Sequence, residues 1–266
     1  MAQVRTYTPK EGYTVIVRRG RDDIKLLEMG ILRLGAGANY RSTTEGDEMA
    51  IVLLGGLANI QAGEARFEGA GGRATVFGGR ATAAYVPAGS RFKIEAVSAV
   101  EAALVRAPGE PGNVPALILP ERVKVIPQAQ GMGAVEEHVI LGPEFPARRL
   151  FVTETHAPGG TWAHYPPHKH DQAAPSEEAA LEEVDFFRFD PPGGFALQRL
   201  YGPGGAPWDT LVLGDDTIVK IPHGYHPIGV PPAWRMYCLA VLAGDERTWA
   251  LRHEPDHPWS PGTAPA

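Results

Sequence analysis

The sequence predicts an all-β fold made of two tandem β-barrels with few short helices. Three observations carry that expectation. Short β-branched and aromatic runs dominate, long amphipathic helical patterns are scarce, and the two halves repeat one another at fixed offsets. The 266 residues are enough for two domains of ordinary size. The first half contributes Tyr13-Thr-Val-Ile-Val, Ile51-Val-Leu-Leu, Ala84-Tyr-Val and Ala102-Ala-Leu-Val. The second contributes Val184-Asp-Phe-Phe-Arg-Phe, Phe195-Ala-Leu-Gln-Arg-Leu-Tyr, Thr217-Ile-Val-Lys-Ile and Met236-Tyr-Cys-Leu-Ala-Val-Leu. Gly, Pro or Asp bounds most of these runs, and 32 Gly with 25 Pro supply the turns that many short strands need.

The repeat is read from matched positions. Glu48 opens Glu-Met-Ala-Ile-Val, and Glu183 opens Glu-Val-Asp-Phe-Phe. Thirty-nine residues separate Glu48 from Pro87 in Val-Pro-Ala-Gly, and thirty-nine separate Glu183 from Pro222 in Ile-Pro-His-Gly. Each proline is followed by an apolar strand ending in Ala, at Ala107 and Ala243. Two copies of one β unit account for this pattern. The copies differ in chemistry, because none of the nine histidines precedes His138, and Arg91 stands where the second copy has His226. The expected division is therefore a barrel without metal over 1–130 and a metal-binding barrel over 131–266. The segment starting at Gln128 reads as the connector, and the metal-free barrel is expected to support assembly into a homo-oligomer.

Composition narrows the function. A formal net charge of −6, with no long Lys/Arg run, argues against a nucleic-acid surface. It leaves a small anionic substrate open, since local charge decides that. The first residues lack a signal-peptide core and no apolar stretch reaches membrane length, so a cytoplasmic location without membrane association is expected. Cys238 is the single cysteine, which excludes an internal disulfide, and its apolar neighbours mark it as a small buried residue.

The chemistry concentrates in the second half. In Tyr165-Pro-Pro-His168-Lys-His170-Asp, histidines at i and i+2 on a strand share a face and present two imidazoles side by side. Glu183 stands directly before an apolar strand, and His226 follows in His-Gly-Tyr-His-Pro. Three imidazoles and a carboxylate suit one divalent ion, Zn²⁺, Mn²⁺ or Fe²⁺, with positions left for water or substrate. The segment between His170 and Glu183 reads as a mobile loop. His156, His164, His253 and His257 lack ligand spacing and read as structural, His223 reads as an exposed turn residue, and the tryptophans read as core.

These residues resemble the cupin metal motif. More narrowly, Tyr165-Pro-Pro-His-Lys-His-Asp, Leu181-Glu-Glu-Val, Phe195-Ala-Leu-Gln-Arg, Gly224-Tyr-His-Pro, Val241-Leu-Ala-Gly and Asp256-His-Pro-Trp resemble the 5-deoxy-glucuronate isomerases of inositol catabolism. A sister family is the 4-deoxy-L-threo-5-hexosulose-uronate ketol-isomerases. Asp185 and Cys238-Leu-Ala depart from the family pattern. The resemblance implies metal ligands at His168, His170, Glu183 and His226, with Glu183 preferred to Glu182. It also implies an aldose–ketose interconversion of 5-deoxy-D-glucuronate and 5-dehydro-2-deoxy-D-gluconate.

Such a reaction needs a proton carrier and a cation for the substrate carboxylate. Asp185 shares the face of Glu183 by alternation and is one carrier; a metal-bound hydroxide and a hydride shift are the other routes. Arg199 is the first choice of cation, ahead of Arg235 and Lys220. Lys169, between two ligands, points to the opposite face. Tyr225 is read as a hydroxyl donor to substrate or as packing over the loop. Two alternatives share the same metal shell: an iron dioxygenase and a non-enzymatic sugar-binding cupin.

Overall fold

In the computed structural model, residues 3–21, 23–128, 135–205 and 207–255 are described. The runs form strands because β-branched and aromatic side chains pack well on a pleated surface, and alternation gives each strand an inward face. In Leu57–Ala62, for example, Ala58, Ile60 and Ala62 are buried while their neighbours are partly exposed. The described residues include only two short 3₁₀ turns, Pro120–Arg122 and Pro203–Gly205, and no α-helix. None of their helices is long and apolar enough to cross a membrane.

Two compact units are formed. One comprises Thr8–Lys124 and Ile140–Val152; the other comprises Met1–Tyr7, Val125–Val139 and Thr153–Ala266. This replaces the single cut expected at 130/131, a point that lies outside the described residues. The physical reason at the amino end is strand pairing: Gln3–Thr6 runs antiparallel to Thr217–Ile221, so the first strand completes a sheet of the later unit.

In the first unit a six-stranded sheet runs Ala116–Ile118, Ala83–Val86, Asp47–Gly55, Val100–Pro108, Glu28–Leu34, Gly12–Val17. A four-stranded sheet runs Asn39–Thr43, Arg91–Ala96, Leu57–Ala62, Ala65–Gly71. Their inward side chains form one core that includes Leu32, Met49, Ile51, Leu53, Ile60, Phe92, Ile94 and Leu104. Each such side chain contributes about 1.5–3 kcal/mol by leaving water. This barrel interior is filled by hydrocarbon.

The later unit repeats the plan around a polar interior. Its large sheet runs Gln3–Thr6, Thr217–Ile221, Glu182–Asp190, Arg235–Ala243, Leu150–Ala157, Val135–Leu141, Lys124–Gln128. A smaller sheet runs Trp162–Ala163, Ile228–Gly229, Ala196–Tyr201, Pro207–Leu213. The strand bearing Glu183 lies between Thr217–Ile221 and Arg235–Ala243, as the strand bearing Glu48 lies between Ala83–Val86 and Val100–Pro108. The matched spacing in sequence thus corresponds to matched topology.

Glu48 shows what the first copy does with the equivalent carboxylate. It is 1% exposed and accepts backbone N–H bonds from Arg148, Arg149 and Leu150 at 2.6–2.9 Å, together with the Tyr85 hydroxyl at 2.7 Å. Its charge is balanced by amide dipoles. Glu48→Ala should orphan these donors at about 1–3 kcal/mol each. Denaturant unfolding should then show a loss of about 3 kcal/mol or more, and a loss below about 1 kcal/mol would refute the anchoring role.

Candidate metal centre

The later barrel brings the four expected ligands to one place by three routes. His168 lies on the short strand His168–Lys169, paired with Arg252–His253, and His170 follows it. Glu183 faces inward from the second position of Glu182–Asp190. His226 comes from the loop after Thr217–Ile221, and the Gln198 side-chain amide donates to its carbonyl at 3.3 Å. The segment between His170 and Glu183 is a hairpin, Asp171–Ala174 with Glu178–Ala180, where the sequence suggested a mobile loop. Lys169 fastens it: its ammonium, turned away from the ligands, donates to Asp171 at 2.7 Å and to buried Glu178 at 2.6 and 2.8 Å. Asp171 also accepts from the Gly224 amide at 2.6 Å, which ties the two histidine-bearing loops together.

The imidazoles are oriented by their outer nitrogens. Nδ1 of His168 faces the Pro166 carbonyl at 3.3 Å, Nδ1 of His170 the Leu181 carbonyl at 3.0 Å, and Nδ1 of His226 the Gly224 carbonyl at 2.9 Å. A proton on each Nδ1 leaves a lone pair on each Nε2, the arrangement that metal-binding histidines show. The His168, His170 and His226 ring centroids lie 5.0–6.3 Å apart. Glu183 Oε2 sits 2.7 Å from His170 Nε2 and 3.4 Å from His226 Nε2. His226 Nε2 is buried and has no hydrogen bond among the described residues. A buried donor set of this kind fits a borderline divalent ion.

Electrostatics favour the neutral form of two of the three imidazoles. Burial and the neighbouring imidazoles hold His168 well below its ordinary value, and burial brings His226 down to about 4. Both are therefore neutral, the form that binds metal. Burial disfavours the Glu183 charge, but His226, His170 and His164 together hold its carboxyl well below the usual range. Burial likewise opposes charge on His170, and the hydrogen bond and charge of Glu183 overcome it, raising that imidazole.

Comparison with known proteins identifies the lineage. Residues 3–260 match the KduI/IolB family. The chain belongs to the KduI/IolB family. It is 40% identical over 230 residues to the 5-deoxy-glucuronate isomerase of Geobacillus kaustophilus (strain HTA426), covering 85% of this chain and 82% of that one. It is 34% identical over 245 residues to that of Bacillus subtilis (strain 168), covering 91% and 90%. The crystal structure of an IolB-like protein from Salmonella typhimurium LT2 superposes with a TM-score of 0.92 at 30% identity, covering 96% of this chain and 98% of that one. An oxalate decarboxylase structure superposes with a TM-score of 0.68 at 12% identity, covering 95% and 79%, which shows the shared cupin fold alone. With relatives of this kind, this KduI/IolB member is an enzyme of the isomerase class.

Of the residues outside the expected set that line the KduI/IolB cavity, which measures about 100 Å³ and includes His168, His170 and Glu183, three bear on its chemistry. His164 is one: its ring is 5.5 Å from that of His226, and its ligand atom groups with Glu183 and His226 within 4.8 Å. Its left-handed backbone, φ 52°, turns it inward, which ligand spacing along a strand does not reveal. Glu137 is another, held by Gln128 at 2.6 Å; burial raises its carboxyl above the ordinary range. The third is His253, whose ring is 6.1 Å from His168. His257 lies outside the described residues.

Three expectations change. Asp185 faces inward as alternation requires, yet it is fully buried and absent from the cavity wall. Burial and the Glu183 charge push its carboxyl well up, favouring a protonated group that is poorly suited to act as a base. Arg199 is on the outer face, stacked over the Tyr201 ring at 4.1 Å, while Gln198 faces inward. Tyr225 does not reach the cavity wall; its ring stacks on Tyr201 at 5.3 Å, and the two backbones pair.

Proposed function

We propose that this protein is a metal-dependent isomerase that converts 5-deoxy-D-glucuronate to 5-dehydro-2-deoxy-D-gluconate in inositol catabolism, in the cytoplasm. One divalent ion, Zn²⁺, Mn²⁺ or Fe²⁺, is held by His168, His170, Glu183 and His226. The observation that carries the reading is the orientation of three imidazoles, each with Nδ1 against a backbone carbonyl, the Nε2 atoms of His170 and His226 lying 2.7 and 3.4 Å from Glu183. The substrate class follows from the named relatives, which are isomerases of this uronate.

The reaction moves hydrogen between adjacent carbons of an open-chain sugar acid. A bound divalent ion supplies Lewis acidity that polarises the substrate carbonyl and acidifies the neighbouring C–H. Glu137 takes and returns the proton at a carboxylate oxygen, since it lines the same cavity and burial raises its carboxyl, which makes the carboxylate a stronger base. Gln128 fixes the rotamer of that carboxylate. His253 on the cavity wall takes the carboxylate-binding role first given to Arg199. His164, with a buried Nδ1 lacking a hydrogen bond, is placed to donate to a substrate oxygen.

Turnover should persist under anaerobic conditions and vanish with chelator. A requirement for O₂ would favour the dioxygenase reading, and binding without turnover the sugar-binding one. Glu137→Gln should lower kcat by about 10²–10⁴-fold while metal content stays unchanged. An unaltered kcat would remove Glu137 from the proton path.

A further inference from the structure

The barrel wall carries a second cluster of ligand-type side chains on its other face. Glu137, Thr153 and Thr155 line the cavity. By alternation, His138, Glu154 and His156 point away from it. They lie on Val135–Leu141 and Leu150–Ala157, neighbours in the large sheet. One ligand atom from each of these three residues lies within 4.8 Å of the other two. His138 and Glu154 are buried, at 6% and 0% exposure.

Each partner around the cluster prepares it for a cation. Glu136 Oε2 lies 3.0 Å from His138 Nε2, so the proton sits on Nε2 and Nδ1 keeps its lone pair. That Nδ1 is buried and has no hydrogen-bond partner among the described residues. A carboxylate behind a histidine is a common outer arrangement at metal sites. The Tyr237 hydroxyl donates to Glu154 Oε1 at 2.8 Å and orients that carboxylate, while Oε2 stands 3.9 Å from His156 Nε2, beyond hydrogen-bond length. The His138 and His156 rings approach to 4.5 Å between centroids, an arrangement two protonated imidazoles would resist. Burial lowers His138 further, which favours the neutral ligand form.

We propose that His138, Glu154 and His156 form a second divalent-cation site, for a borderline ion of the Zn²⁺ class, that clamps two adjacent strands on the wall opposite the catalytic cavity. Two imidazoles and one carboxylate match the ligand preference of such ions, with bonds of about 2.0–2.2 Å that side-chain rotation can reach. The ion is structural, since the cluster faces away from the cavity.

Metal analysis of the full chain, stripped with chelator and reloaded with Zn²⁺, tests the site by count. Wild type should hold about two equivalents per chain, and His138→Ala/His156→Ala about one, with isomerase turnover retained and a lower Tm. His168→Ala/His170→Ala should also hold about one, with turnover lost. A wild-type count of about one, unchanged in His138→Ala/His156→Ala, would overturn the proposal. If that variant does not fold, His168→Ala/His170→Ala decides: about one remaining equivalent supports the site, and none overturns it. A His168→Ala/His170→Ala count equal to wild type would instead refute the catalytic ligand set.

Discussion

Glu183→Gln is expected to yield a folded protein without measurable turnover. Its metal affinity should fall by more than about 100-fold, the upper end of what losing an outer partner costs. Glu183 is 2% exposed and faces His170 and His226 across 2.7 and 3.4 Å. In the proposed centre it is the carboxylate that would offset a divalent charge among these imidazoles, and a neutral amide of the same shape cannot do so. The neighbouring carboxyl, Asp185, favours its protonated form and offers no replacement charge. Isomerase assay and metal content check the effect, with thermal unfolding to confirm the fold. Wild-type turnover in this variant would remove Glu183 from the centre.

The metal-free protein should lose stability as pH falls from 6.5 toward about 4, the ordinary and the folded values of His226. The unfolded chain takes up that proton near 6.5, whereas the folded chain refuses it until about 4. In this window the unfolded state binds more protons, so stability rises with pH. His226 is 1% exposed, and its shift corresponds to about 3 kcal/mol. His168, also lowered, adds in the same direction. His170 is raised, so its contribution is full below 6.5, is lost as pH rises through its folded value, and partly offsets the others. The lowered Glu183 acts at more acid pH: its contribution is present above 4.5 and lost as pH falls through its folded value. Denaturant midpoints of chelated protein at pH 7 and pH 4.5 measure the slope, and His226→Gln should flatten it. An identical slope in that variant would contradict the assignment.

The parts legible in the sequence are those encoded over short distances. His168 and His170 are two residues apart at one short strand and its end, Glu183 lies near the start of another, and His226 follows a turn, so their convergence needs only alternation and a closed barrel. The contributors that stayed hidden depend on long-range pairing or local backbone twist. Glu137 reaches the cavity from a strand far earlier in the chain, and His164 through a left-handed residue. Arg199 misled because Leu197, on the same face, is 44% exposed. An apolar residue there disguised the outer face as the inner one, and Gln198 took the buried position. The hairpin after His170 was hidden because its stability rests on a buried ion cluster of Lys169, Asp171 and Glu178 rather than on apolar alternation.

The placement of Gln3–Thr6 beside Thr217–Ile221 has a consequence for biosynthesis. The docking partner of those four residues is made more than two hundred residues later in the chain. The earlier unit can condense while this strand waits, idle, for an edge that does not yet exist. Until it arrives, Thr217–Ile221, immediately beside the strand of Glu183, shows a bare row of amides and carbonyls. Proteolytic nicking near residue 8 would therefore do its harm beside Thr217–Ile221, in the unit that carries Glu183.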